Sequence, residues 1–265
     1  MIDPLKIHNR DKEIVTGLEG LWSPSNAFLV GSGPSLTSMM ARTLEKRGVA
    51  SMGINNAAGF VRCTAMVFSD PVKKFHHGIF FDPTILKFCP VKKLGQRIRA
   101  KVGDKFEMTN HHLKECPSVF GFATKKEFNS ADFFSTEWVS VGSKESGMFT
   151  MFLGLRLLHY LGVRRVFLVG VDFDMPEEQH YCYGFREQME DFREGNNEKY
   201  PLIAKMLNDL KNTSFKANKF EVYNCNTRSR LSCFPYVSFI DAIKLCQGLV
   251  PPDDPDLRGW YRKDL

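Results

Sequence analysis

The apolar run Phe28-Leu29-Val30, which stops at Gly31-Ser32-Gly33-Pro34-Ser35, narrows the folds open to this chain more than any other stretch. A short buried strand that ends in glycines and is followed by Leu36, Met39, Met40 and Leu44 on one helical face is the first half of a βαβ unit. The spacing predicts a strand over 27–30, a helix over 35–47 and a second strand over 49–54. Units of this kind assemble into a parallel sheet with helices on both faces.

The pattern repeats downstream. Ala65 to Phe68 reads as a strand stopped by Ser69-Asp70-Pro71. Met148, Phe149, Phe152, Leu155, Leu158, His159 and Leu161 recur at helical spacing from Ser146, Gly162 ends that helix, and Val166-Phe167-Leu168-Val169-Gly170 follows as an all-apolar strand. A helix over 202–210, a strand over 220–223 and a helix over 237–245 complete the regular part. The expected fold class is α/β: a Rossmann-like, mostly parallel sheet covered on both faces, with an insertion and a lid.

Four segments fall outside that pattern. Residues 1–25 have no strong period and are expected to form a loosely packed N-terminal extension. One nucleotide-binding domain is expected over 26–250. Within it, 72–135 reads as a basic insertion and 174–200 as a lid, with a short helix over 185–192 and a break at Gly195-Asn196-Asn197. Residues 251–265 form a proline-rich tail.

Composition excludes several classes. Hydrophobic residues at 43% and charged residues at 25% of 265 are those of an ordinary globular protein. The seven cysteines are odd in number and form no CxxC pair, which argues against a disulfide framework and a structural zinc site and favours a reducing, cytoplasmic location. No uncharged apolar run of about 18 residues occurs, and the N-terminus lacks a secretion-type apolar core, so neither a membrane span nor export is expected. The net charge is +6, and nine Lys and Arg fall between Lys73 and Lys105. That window suits a polyanionic partner, or is a solvated face.

The polar residues at the predicted strand ends are the candidates for chemistry. Gly31, Ser32, Gly33, Pro34 and Ser35 bring backbone N–H groups to a helix start, where a phosphate is favoured; Ser35 reads equally as a helix cap. Asn55 and Asn56 follow the second strand, and Asp70 the third, on the edge where open α/β sheets bind ligands. Asn can read a ribose or a base edge, or form a plain turn. Ser143, Ser146 and Gly147 precede the long helix and can donate to a phosphate or carboxylate, or cap it. Asp172 and Asp174 form an Asp-x-Asp that suits Mg²⁺ or Mn²⁺; Asp172 reads equally as a buried acceptor of loop amides. In the expected lid, His180 is a general-base candidate, and Tyr181 and Tyr183 can bond a phosphate. His76, His77, His111 and His112 lack zinc-site spacing and read as surface residues.

Gly-Ser-Gly-Pro-Ser-Leu after the first strand, Asn55 after the second, Ser146-Gly147 opening a long helix and "VFLVGVDF" after it give the chain a family likeness. In motif order it resembles the bacterial family 42 sialyltransferases and the 6-hydroxymethylpterin pyrophosphokinase-like proteins, from about Ala27 to Asp174, and more loosely to "VYNCNTRSRLSCFP" at 222–235. The resemblance implies a Rossmann-like sheet holding a nucleotide. Gly31, Ser32 and Gly33 would lie against its phosphate or ribose, Asn55 would face the donor, Ser146 and Gly147 would sit beside its carboxylate or phosphate, and Tyr181 and Tyr183 would grip the phosphate. The sialyltransferases place a general-base histidine late in the lid, and "NNEKYPLIAK" here has none. Either His180 takes that role from a shorter lid or the chemistry differs; in a transferase His180 is the expected base, with Asp70 or Asp172 in reserve.

The leading expectation is a glycosyltransferase that moves a sugar from a nucleotide-activated donor to an acceptor hydroxyl. The acceptor would be polyanionic or a glycan, such as lipopolysaccharide or modified DNA, and the protein could form homo-oligomers. The alternatives are a Mg²⁺-dependent pyrophosphokinase of the pterin type, or a non-catalytic nucleotide- or nucleic-acid-binding protein.

Overall fold

Eight strands make one sheet in the order β1-β8-β5-β4-β3-β2-β9-β10. In this computed structural model the described residues are 7–9, 11, 13–23, 25–46, 48–75, 77–102, 105–123, 130–131, 133–134, 149–179, 181–182 and 190–247. The strands are β1 (Ile7–His8), β2 (Ser25–Val30), β3 (Ser51–Ile54), β4 (Ala65–Val67), β5 (Leu86–Pro90), β8 (Val119–Phe122), β9 (Val163–Val169) and β10 (Glu221–Asn224). Each pair is parallel except β1 with β8. A separate antiparallel hairpin joins β6 (Arg97–Val102) to β7 (Lys105–His112).

Among the described residues six α-helices accompany them: α1 (Ser38–Leu44), α2 (Ala57–Phe60), α3 (Gly78–Phe81), α4 (Thr150–Tyr160), α5 (Glu190–Leu210) and α6 (Phe239–Gln247). Strand β2 explains the layering. Ala27 and Leu29 point into the cluster that holds α4 and α5 residues such as Leu155 and Leu207. Phe28 and Val30 point the other way, against Leu44 of α1 and Ala242 of α6. A strand covered on both faces has no polar side to show, so its run is apolar throughout. Helix α4 is buried from Thr150 to Leu158 and packs across β2, β3, β4 and β9. It ends at Leu161, and Gly162 takes a φ of +94° that a side chain would resist.

From β2 the chain builds outward through β3, β4, β5 and β8, then returns by α4 to place β9 on the other side of β2. The carboxyl ends of β2 and β9 therefore flank the point where the winding reverses. Open sheets leave a crevice there.

The structure departs from the sequence expectations in four places. Residues 1–25 are not merely an appended extension: Ile7 is fully buried and β1 closes the sheet edge against β8. Strands β5 and β8 lie inside 72–135 and belong to the main sheet, so the part standing apart narrows to the β6–β7 hairpin. Helix α1 begins at Ser38, capped by Thr37 on the Met40 amide, rather than at Ser35. Helix α5 runs unbroken from Glu190 to Leu210, past Pro201 and through Gly195-Asn196-Asn197, where the sequence predicts a break. The two asparagines that read as a turn are used in tertiary contact instead. Asn197 clamps the Met175 backbone from both sides, at 2.9 Å and 3.1 Å, and Asn196 donates to the Met175 sulfur.

No helix among the described residues is long and apolar enough to cross a membrane. All seven cysteines are free thiols.

One buried cation stands out. Lys87 on β5 is fully buried, its ammonium donating to the Asp82 carbonyl, and burial lowers its pKa to about 8. The unfolded chain holds that proton to about 10.5, so between the two values unfolding takes up a proton and stability rises with pH. Lys87→Met removes this dependence. The stability gap between variant and parent, measured by urea unfolding, is expected to favour the variant most below pH 8 and to narrow towards pH 10.5. A gap independent of pH would contradict the assignment.

Candidate functional site

The glycine loop 31–35 leaves β2 and lies directly on the loop that leaves β9. The Gly31 amide donates to the Val169 carbonyl and the Gly33 amide to the Gly170 carbonyl, each at 2.8 Å. A Cβ on Gly31 would collide with the Gly170 carbonyl oxygen, and one on Gly33 would sit 2.5 Å from Asp172 Oδ2. The glycines thus serve a close approach between two backbones.

Asp172 locks that approach. It is 8% exposed. Its Oδ2 accepts from the Ser35 amide at 2.9 Å, and its Oδ1 accepts from the Ser35 hydroxyl and from Asn226 Nδ2, the latter at 2.8 Å. The Arg230 amide and the Ser229 hydroxyl bond its carbonyl at 2.9 Å and 3.2 Å. Ser35 therefore anchors the loop to Asp172 instead of capping a helix. The segment beyond returns to the same place, where the Cys182 amide donates to the Ser32 carbonyl at 2.9 Å. Tyr181 sits next to that bond in sequence.

Outside this lock a pocket of about 210 Å³ opens between the β9 loop and α5. It is lined by Phe173, Asn197, Tyr200, Pro201, Ala204 and Arg230. That is below the roughly 300–1,000 Å³ of drug-sized sites, and it has room for one ring. The Phe173 and Tyr200 rings stack at 5.0 Å, and Phe173 holds a φ of +55° to reach that position. A non-glycine residue there costs about 1–2 kcal/mol, which the surrounding loop must offset. Burial pushes the Tyr200 phenol up, with Tyr181, Asp172 and Asp174 adding to it, so Tyr200 is a hydrogen-bond donor at neutral pH. Arg230 Nη2 lies 3.2 Å from Asp174 Oδ2 at the pocket mouth.

A second polar cluster joins the ends of β3 and β4 to the start of α4. Asn55, in the left-handed region at φ +49°, accepts from the Ser69 amide and donates to Thr150 Oγ1, both at 3.3 Å. The Ser69 and Thr150 hydroxyls are 2.6 Å apart. Asn56 begins the short helix α2 without capping it through its side chain. Asp70 follows on the same edge, 42% exposed, with Lys74 Nζ 3.5 Å away.

Of the sequence candidates, Gly31, Ser32, Gly33, Pro34, Ser35, Asp172, Asp174 and Tyr181 fall at the β2–β9 crevice, and Asn55, Asn56 and Asp70 further along the same edge. Ser143, Ser146, Gly147, His180 and Tyr183 lie outside the described residues. Thr150, Tyr200, Asn226 and Arg230 were not anticipated. The cue for the last two was present in "NCNTRSR" after β10, a further strand ending on the carboxyl edge in turn-forming residues.

Asp172 and Asp174 do not fit a divalent-cation site. Both oxygens of Asp172 accept from neutral donors and Asp174 pairs with a guanidinium. Among the described residues no group of three His, Cys, Asp or Glu is arranged to hold a metal ion.

No family model matches the chain, and no curated protein matches it. Among solved structures, the MAf glycosyltransferase from Magnetospirillum magneticum AMB-1 is similar over 84% of this chain, with a TM-score of 0.50 at 12% identity. The chain spans about a third, 35%, of that protein's length. The likeness thus bears out the α/β, Rossmann-like class of the fold, and it leaves the glycosyltransferase, sialyltransferase and pterin-enzyme readings as expectations.

Proposed function

We propose that the chain is a glycosyltransferase that binds a nucleotide-activated sugar in the crevice between β2 and β9 and transfers the sugar to an acceptor hydroxyl. The observation that carries this reading is the Asp172 lock. One buried carboxylate holds the glycine loop, the β9 loop and the 226–230 segment together at the point where the sheet winding reverses.

In this reading Asp172 is a positioning residue, because its oxygens are committed to Ser35 and Asn226. Ser32 and Gly33 face the nucleotide. Arg230, with the protonated Tyr200 hydroxyl and Tyr181, supplies donors where negative charge builds on the leaving nucleotide, the largest electrostatic term in such a transfer. The aromatic pocket takes one ring of the donor. Asp70, exposed at the end of β4, accepts the proton of the acceptor hydroxyl; His180 is the other base this reading allows, and its replacement belongs in the same test. The commitment of Asp172 and Asp174 to neutral donors and to Arg230 favours this chemistry over a Mg²⁺-dependent pyrophosphokinase.

Thermal unfolding with CMP, UDP, GDP, ADP and their sugars is the test. One nucleotide and its sugars are expected to raise the midpoint with concentration, by about 2.7 kcal/mol of stability at a hundredfold excess over Kd. Asp70→Asn is expected to leave that shift in place and to lower turnover of the donor by about a hundredfold or more. Absence of a shift with every nucleotide would overturn the reading.

A further inference from the structure

Beside the β2–β9 crevice, the carboxyl edge carries a cluster of cations that the donor chemistry does not use. Lys74 stands in the turn Val72–Lys74 after β4, and Lys92 and Lys93 in the turn Val91–Lys93 after β5. The two strands are parallel neighbours, so both turns emerge on the same edge as the glycine loop. They are tied to each other, since the Val72 amide donates to Gln96 Oε1 at 3.1 Å. The two turns are therefore held side by side.

Lys93 is 6% exposed, yet it lies within electrostatic reach of Lys92 and Lys74, with Asp70 as the acidic neighbour there. Burial, together with Lys92 and Lys74, holds the Lys93 ammonium below the ordinary lysine range. Like charges gathered this way cost the folded protein stability, and an anion docking among them relieves that cost. Lys74 and Lys92 are exposed and can reach such an anion.

We infer that Lys74, which lies 3.5 Å from Asp70, together with Lys92 and Lys93 of the neighbouring turn, holds a phosphate group of a saccharide acceptor, carried on the sugar that offers its hydroxyl or on the next one. This rests on Asp70 being the group that faces the acceptor. The 3.5 Å between Asp70 and Lys74 then sets the spacing of hydroxyl and anion. Two strand spacings, about 10 Å, separate β2 from β4, which leaves room for the donor on one side and the acceptor on the other. A carboxylate among lysines suits a ligand that mixes hydroxyls with an anionic group. It disfavours a nucleic-acid strand, whose regular phosphates meet an uninterrupted basic stripe better.

The test is a calorimetric titration, without nucleotide, of phosphorylated pentamannose, its dephosphorylated form and a single-stranded 12-mer oligonucleotide. The phosphorylated saccharide is expected to bind at least tenfold more tightly than the dephosphorylated one. Lys92→Glu and Lys74→Glu, both at exposed positions, are each expected to erase that advantage. Equal binding of the two saccharides, no binding of either, an advantage that survives both substitutions, or tighter binding of the oligonucleotide would overturn the inference. Because no nucleotide is present, a failed nucleotide screen and a failed saccharide titration are separate results.

Discussion

Asp172→Ala is expected to lower unfolding free energy by about 3 kcal/mol and to abolish nucleotide binding. The carboxylate is buried and accepts three hydrogen bonds, from the Ser35 amide, the Ser35 hydroxyl and Asn226 Nδ2. Bonds to a charged acceptor contribute about 1.5–3 kcal/mol each, and losing them together leaves donors without partners in a dry place. They are not additive, because Ser35 supplies two of them through one residue. Asp172→Asn keeps the shape and one oxygen but turns an amide nitrogen towards donors, so it is expected to fall between parent and alanine. Urea unfolding and nucleotide titration check both. A loss under about 1 kcal/mol with nucleotide affinity unchanged would show that the lock does not organise the crevice.

Gly170→Ala is expected to cost a similar amount, about 3 kcal/mol, for a different reason. Gly170 holds a φ of +65°, where a side chain costs about 1–2 kcal/mol. Its new Cβ would also collide with the Gly31 carbonyl oxygen and lie 3.1 Å from Leu36 Cβ. Forcing a methyl into such a contact costs about 1–3 kcal/mol more. The two loops would have to separate, breaking the Gly33 amide bond to the Gly170 carbonyl. Nucleotide binding is expected to fall with stability. The contrast with Gly195 is the internal control, since a Cβ there meets nothing within 4 Å and an alanine in helix α5 should stabilise slightly.

The strands were the most legible part of the chain. Ala27 to Val30 and Val166 to Val169 are apolar without interruption, and only a strand covered on both faces is built that way. Helix ends were less legible. Ser35 has the chemistry of a cap, but its hydroxyl and amide are both taken by Asp172, 137 positions away. Gly195-Asn196-Asn197 and Pro201 have the chemistry of a break, but the asparagines bind Met175 and the helix continues. In each case a long-range partner outweighed a local preference of about 1 kcal/mol.

The same division holds for the site. Local pattern alone determined an α/β sheet with its polar residues gathered at the carboxyl ends of strands, because apolar period and glycine placement act over a few neighbouring residues. Tertiary structure decided which strand ends stand side by side. It brought Asn226 and Arg230 to Asp172, Tyr200 to Phe173, Thr150 to Asn55 and Ser69, and Lys93 to the neighbourhood of Asp70 and Lys74. Those pairings depend on strand order and on the return of α4 across the sheet. A hydrogen bond or charge pair forms only once the whole sheet has closed, so no short stretch of residues records it.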